Sequence, residues 1–599
     1  MTKVKTAVLR NEIDNKYKWK LEDLMDDAGF EKGVEELKKL MPALEAAKGS
    51  LDSGADSLLL ALDMLFEAAL LVERLYVYAH MREDQDNGDS KYQGMAQRAL
   101  SLEVDFSAKT SFVTPEIISI PNERLMEFMN SSSKYDKYRH FLTNLMRSKE
   151  HVLDEAREEL LAQAGEMSAA PKNVFSVLTN VDTRFPNVKN EDGEEVELSH
   201  ARYVDLMRST DREVRKNAFE KYYGEFTAKK NTLASILSAS IKGDVFFAKA
   251  RKYESCLDAA LFHDNVPKKV YDSLIEAAHD KLPALYRYLE LKKKALDIDD
   301  MHMYDIYAPI SDEKPLRIPY EEAVDIVLSG LAPLGEEYVG IAADGFKNGW
   351  VDVYENRGKT SGAYCWGSYG THPYMLLNYQ DNMDNAFTIA HELGHAMHSY
   401  YSDSAQPYPT AQYTIMTAEV ASTVNEVLLN HYLLERTSNR QERIQLLNHY
   451  LEQFRTTVYR QVMFAEFEKL VHEMAEEGKP LNSESICALY MGLNKLYHGE
   501  GVVSDEQIAC EWSRVPHFYN SFYVYKYATG FSAAVSIASD ILAGKENALE
   551  NYLAFLKSGG SDYPINLLKK AGVDLATPEP VDNCLSVFAG TLDELEKLI

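Results

Sequence analysis

His391 and His395 stand four residues apart in "FTIAHELGHAMHS", with Glu392 directly after the first. In a helix, side chains four apart lie one above the other on one face, so both imidazoles can reach a single ion. H-E-x-x-H is the order in which two histidines bind zinc while the glutamate between them stays off the metal and handles protons. The chemistry this predicts is hydrolysis. The ion lowers the pKa of a water to about 7 and polarises a carbonyl, while Glu392 takes the water's proton and passes it to a leaving amine. A helix that only carries surface histidines is the competing reading. Two ligands do not decide between them, because a catalytic zinc takes three protein ligands and keeps one position open.

The third ligand separates the classes. A metzincin needs a glycine three residues after the second motif histidine and a third histidine three residues beyond; His398 and Tyr401 occupy those places, which excludes that class. The other common solution is a glutamate on a following helix. "PTAQYTIMTAEVASTVNEVLLNHYLLE" offers Glu419, with Glu426 two turns later on the same face. His391, His395 and Glu419 then form a His2Glu set. Glu426 either orients a ligating imidazole or is an ordinary helix-surface acid. His398, one turn beyond His395, is expected to be structural or to lie beside the site, and not to be a ligand.

The elements that must position these residues read mostly as helix. Apolar residues recur at three and four positions in "FEKGVEELKKLMPALEAAK", "REVRKNAFEKYYGEFTAKKNTLASIL" and "RIQLLNHYLEQFRTTVYRQVMFAEFEKLVHEM". Two stretches break the pattern. In "FPNVKNEDGEEVELS" (Phe185–Ser199), Asp192-Gly193 signals a hairpin with a solvated acidic tip, and the main boundary is expected nearby: a helical N-terminal domain over 1–200 and a catalytic domain over 201–599. "GWVDVYENRGKTSGAYCWGSYGTHPYMLLNYQ" (Gly349–Gln380) predicts a small sheet just before the histidine helix, with "PYMLLNY" as a strand. Its edge either holds an extended peptide by main-chain hydrogen bonds or is purely structural.

Composition narrows the partners. The chain has 599 residues and a formal net charge of -29, which argues against nucleic acid or an acidic membrane face. Five scattered cysteines without a CxxC fit a reducing compartment. The basic N-terminal stretch has no apolar segment after it, and the apolar run Leu58–Ala79 carries Asp63, Glu67 and Glu73, so it predicts a buried helix and not a membrane span. A cytoplasmic protein without a membrane partner is expected. "RGKTS" lacks the earlier glycine of a P-loop, Val353 standing there, and no G-x-S-x-G occurs.

"FTIAHELGHAMHS" followed by "TAEVASTVNE" resembles the M3 family of zinc oligopeptidases, in its oligoendopeptidase F branch. "YKWKLEDL" (Tyr17–Leu24), Glu73–Gln93, Arg251–Ile275 and His517–Ala534 are also similar to that branch, so the resemblance covers nearly the whole chain. It implies a mainly α-helical fold with two lobes enclosing a deep channel, a zinc ion on His391, His395 and Glu419, Glu392 as general base, and hydrolysis of internal bonds of short peptides. A dipeptidyl carboxypeptidase of the same family and a non-catalytic peptide-binding protein are the alternatives. The resemblance also implies a role for "SRVPHFYNSFYVYKYATGF". On spacing alone, an aromatic stripe like this is core. The family places oxyanion-binding His and Tyr residues here, which matches His517 directly; Tyr523 and Tyr527, four apart, are the favoured tyrosines, expected on one helix face. Gly530 and "HGEGV" (His498–Val502) are expected to lend mobility.

Overall fold

The computed structural model describes residues 8–311 and 317–599; residues 1–7, where the basic N-terminal stretch begins, lie outside the described residues. Long α-helices dominate, with a few strands of two or three residues. The chain forms two compact units, both discontinuous in sequence. The first comprises Met1–Lys149, Pro315–Tyr432 and Ile537–Gly572; the second comprises Glu150–Lys314, Leu433–Ser536 and Val573–Ile599. The boundary expected at residue 200 falls inside the second unit. A division along the chain assumes that each core is built from one continuous stretch, and here each core draws on three.

In the first unit, the apolar run around Leu58–Ala79 lies within a helix of 31 residues, Ala55–Gln85. Its apolar side is core: Leu58, Leu62, Leu75 and Tyr78 are each at most 1% exposed. Of the three acids in that run, Glu67 is exposed and the other two are partnered. Asp63 accepts from Lys137 Nζ at 2.7 Å and from the Tyr138 hydroxyl at 2.6 Å. Glu73 accepts from Ser368 Oγ, Tyr369 N, the Tyr408 hydroxyl and Gln412 Nε2.

The small sheet forms where the sequence predicts one. Its strands are Val351–Asp352, Tyr364–Trp366 and Tyr374–Leu376. The last is central, pairing in parallel with Val351–Asp352 and antiparallel with Tyr364–Trp366, in the register Cys365 opposite Met375. Tyr364–Trp366 is therefore an edge. The lysine of "RGKTS" has a structural use: Lys359 Nζ lies 2.7 Å from Asp352 Oδ1 and donates to the Tyr354 carbonyl, fully buried against the sheet.

The histidine helix runs Met383–Ala405, capped by Asn382, whose side chain accepts from Asn385 N at 2.8 Å. The glutamate helix runs Ile415–Arg436. The two cross at Gly394. A Cβ there would lie 2.4 Å from Ser422 Cα and 2.6 Å from the Ala421 carbonyl oxygen. Only a residue without a side chain permits this approach. Beside it, the buried Asn425 Nδ2 donates to the Ala390 carbonyl at 3.1 Å and fixes the register of one helix against the other.

The second unit carries the predicted hairpin, with Asn187–Lys189 antiparallel to Glu195–Glu197 and Gly193 at φ +76° in the turn. Its acids are exposed, as expected, and one of them is also tied down: Glu191 accepts from Thr210 N at 2.6 Å. "HGEGV" is anchored and not loose. Gly499 caps the helix Ser483–His498, and Val502–Val503 pairs in parallel with Met301–His302. Gly530 lies within the helix Tyr525–Leu542.

Alanine at an ordinary helical glycine stabilises by up to about 1 kcal/mol. Gly394→Ala is expected to do the opposite, by about 1–3 kcal/mol, because the added methyl drives the two helices apart. Calorimetry and metal analysis of the purified variant check this: a lower melting temperature with reduced metal retention is expected, and an unchanged or raised one would show that the crossing is not tight.

Candidate metal and catalytic site

His391, His395 and Glu419 converge in the first unit. One ligand atom from each lies within 4.8 Å of the others. His395 Nε2 and His391 Nε2 face each other at 3.2 Å, and Glu419 Oε2 is 3.7 Å from His391 Nε2. Among the described residues this is the one group of three His, Cys, Asp or Glu side chains close enough to share an ion. Glu426 is no bystander. Its carboxylate accepts from His391 Nδ1, which turns Nε2 of the same ring toward His395.

The electrostatics of the four groups follow from their burial together. His395 is held neutral, its pKa pushed down to about 3 by burial and by the neighbouring His391. Burial also opposes charge on His391, but the hydrogen bond to Glu426 and the surrounding carboxylates outweigh it and raise the pKa to about 9. Glu392 is buried at 6% exposure, and its pKa is lifted to about 7 by burial, with His391 pulling it down and Glu419 and Glu426 adding to the rise. A carboxyl at that value exchanges protons readily near neutral pH. Glu419 is likewise raised, chiefly by burial. His398 is not part of the cluster. It is 1% exposed and stacked on Tyr413 with ring centroids 3.6 Å apart, a packing residue.

His395 and Glu419 open onto a cleft of about 370 Å³. The edge strand supplies Cys365 and Trp366 to one wall, and Glu73, Ser399, Asp403 and Tyr413 supply others. The Asp403 pKa is raised to about 7 by burial and by the Glu73 charge. Sequence reading passed over Glu73 and Asp403. No local signal marks them, since Glu73 reaches the cleft from a helix far earlier in the chain.

The aromatic stretch near the C-terminus belongs to the second unit. Most of it is core: Phe518, Phe522, Tyr525 and Phe531 are each at most 5% exposed. His517, Tyr519, Tyr523 and Tyr527 are half-buried, and of these His517, Tyr523 and Tyr527 cluster, with ring centroids 6.1 Å from His517 to each tyrosine and 5.5 Å between the tyrosines. Burial lowers the His517 pKa, which favours a neutral imidazole. The helix begins only at Tyr525, so Tyr523 and Tyr527 do not share a helix face as expected from their spacing. Tyr523 is brought beside Tyr527 by Phe522, which holds a left-handed φ of +58°. A bulky residue takes that conformation only where its surroundings enforce it. Here the buried Glu468 accepts from Phe522 N at 3.0 Å, and the Phe522 ring packs on His472 at 4.5 Å between centroids.

Comparison with known proteins gives the family. The profile of peptidase family M3 matches residues 205–586, and that of oligopeptidase F matches residues 116–185. The chain belongs to peptidase family M3. This M3 peptidase is 46% identical to oligopeptidase PepF of Bacillus subtilis over 591 residues, covering 98% of this chain and 88% of that protein. It is 40% identical to an oligoendopeptidase F homologue of Lactococcus lactis, covering 98% of both. The crystal structure of oligoendopeptidase-F from Enterococcus faecium superposes with a TM-score of 0.74 at 39% identity, over 96% of this chain and 99% of that one. A crystal structure from Chlamydophila abortus superposes with a TM-score of 0.93 at 37% identity, over 99% and 100%. The M3 peptidase described here is a metallo-oligopeptidase of the oligoendopeptidase F branch, a mainly helical enzyme that hydrolyses peptide bonds. Among the described residues, no single helix is long and apolar enough to cross a membrane.

The Glu426 contact generates a test. Glu426→Ala frees the His391 ring and is expected to weaken metal binding by about 10–100-fold. Competition against a chromophoric chelator measures it; an unchanged affinity would assign Glu426 no part in orienting the ligand.

Proposed function

We propose that the metal is zinc, held by His391 Nε2, His395 Nε2 and a Glu419 carboxylate oxygen, and that Glu392 is the proton carrier of peptide hydrolysis. The observation that carries this reading is the convergence of those three donors with a fourth, buried carboxyl on the histidine helix. Two imidazoles and one carboxylate suit zinc, and His391 already has its Nδ1 engaged, so its Nε2 faces the shared point and would give up its proton to an ion bound there. When bound, zinc supplies a Lewis acid that makes water acidic and a carbonyl electrophilic.

The chain's own residues do the rest. Glu392, buried beside the proposed ligands, takes the proton of the attacking water and delivers it to the amine nitrogen as the peptide bond breaks. The edge strand Tyr364–Trp366 offers main-chain partners to an extended peptide lying in the cleft. His517, Tyr523 and Tyr527 donate hydrogen bonds to the oxyanion, a role supported by their clustering, their partial exposure and the resemblance in this stretch. The substrates are short peptides cut at internal bonds. The five free cysteines fit a cytoplasmic setting.

Two measurements test the assignment. Glu392→Gln is expected to keep its zinc by emission spectrometry while kcat falls by about 10²–10⁴-fold on a quenched-fluorescence peptide; full turnover in that variant sinks the mechanism. His517→Ala, Tyr523→Phe and Tyr527→Phe are each expected to lower kcat by about 10–10³-fold with zinc content unchanged. A variant of the three that keeps its kcat removes that residue from the proposal.

A further inference from the structure

The second unit brings together two cysteines that the sequence keeps 23 positions apart. Cys487 lies in the helix Ser483–His498 and Cys510 in the 3₁₀ run Glu506–Arg514, and their sulfurs are 3.7 Å apart. The indole N–H of Trp512 donates to Cys487 Sγ at 3.4 Å. Such a donor stabilises a thiolate, as does a thiol partner. The hydrogen bond with Cys510, the Trp512 donor and the charge of Lys230 together lower the Cys487 pKa against the effect of burial, while Cys510, hydrogen-bonded to Cys487 and buried, is raised. Cys487 is half-buried and Cys510 buried, so a small oxidant meets Cys487 first.

The remaining cysteines lack these features. Cys256 and Cys584 are buried and their pKa values are raised, chiefly by burial; Cys365 is raised well above the ordinary value for the same reason.

We propose that Cys487 and Cys510 are a peroxide-reactive thiol pair that closes to an intramolecular disulfide, Cys487 being the attacking and Cys510 the resolving residue. The Cys487 thiolate displaces hydroxide from hydrogen peroxide and becomes a sulfenic acid; the displaced hydroxide takes up a proton to leave as water. The Cys510 sulfur then attacks the sulfenic sulfur, and a second water leaves with the Cys510 proton. Two thiols and one peroxide give one disulfide and two waters. An S–S bond of about 2 Å requires each sulfur to move by about an ångström, within reach of side-chain rotation. The backbone at Cys510 is held firmly meanwhile: its neighbour Glu511 accepts from Tyr490 at 2.6 Å and pairs with Arg460 at 2.7 Å. The bond therefore staples the 3₁₀ run to the helix Ser483–His498.

The test uses the full-length, metal-loaded protein treated with hydrogen peroxide, alkylated and mapped by mass spectrometry. The expected result is loss of the mass of two hydrogens, one cross-linked peptide joining Cys487 to Cys510, reversal by dithiothreitol and a higher melting temperature for the oxidised form. In Cys510→Ser, Cys487 is expected to stop at sulfenic or sulfinic acid; in Cys256→Ser, the cross-link is expected to form as in the parent. Cysteines 487 and 510 both remaining alkylatable, or a cross-link that joins any other pair, overturns the proposal.

Discussion

The first unit depends on one steric allowance, the missing side chain at Gly394. The histidine helix and the glutamate helix approach closely enough there that a methyl group would penetrate the backbone of the other helix. That closeness puts Glu419 within 3.7 Å of His391 and lets Glu426 reach the far nitrogen of the same ring. Glutamates seven residues apart on one helix thus grip one imidazole on the next from two sides. The Asn425–Ala390 hydrogen bond opposes sliding of the helices, so the proposed ligands are arranged by the packing itself.

Burying three carboxyls and two imidazoles together is expensive in free energy unless each charge is answered. The cluster answers it unevenly. Glu426 pairs with His391, His395 stays neutral, and the excess falls on Glu392, whose pKa rises to about 7. The same crowding and burial set Glu392 apart from an ordinary surface carboxylate, its proton held more tightly than in water.

Much of this was legible in the sequence, because it rests on local periodicity. Four-residue spacing gives the two histidines, seven-residue spacing gives the two glutamates, and the run "PYMLLNY" gives the central strand. What was not legible depends on long-range closure. Tyr523 and Tyr527 do come together, but through the left-handed Phe522 and not through a shared helix face, and the residue enforcing that turn, Glu468, lies on a separate helix. Glu73 and Asp403 meet in the cleft, and Cys487 meets Cys510, without any spacing that announces it. The hairpin at Asp192-Gly193 was legible as a turn but not as a boundary, since each compact unit gathers three separate stretches.

The edge strand Tyr364–Trp366 is only three residues long, and its free edge is backbone. A surface of amides and carbonyls measures whether a guest chain is extended and has its own N–H groups to offer, and is indifferent to what the guest's side chains spell. A catalyst built on such a ruler discriminates by posture more than by vocabulary. On the proposed docking of an extended peptide at this edge, many unrelated sequences are accepted and those that proline or a folded state prevents from lying flat are turned away.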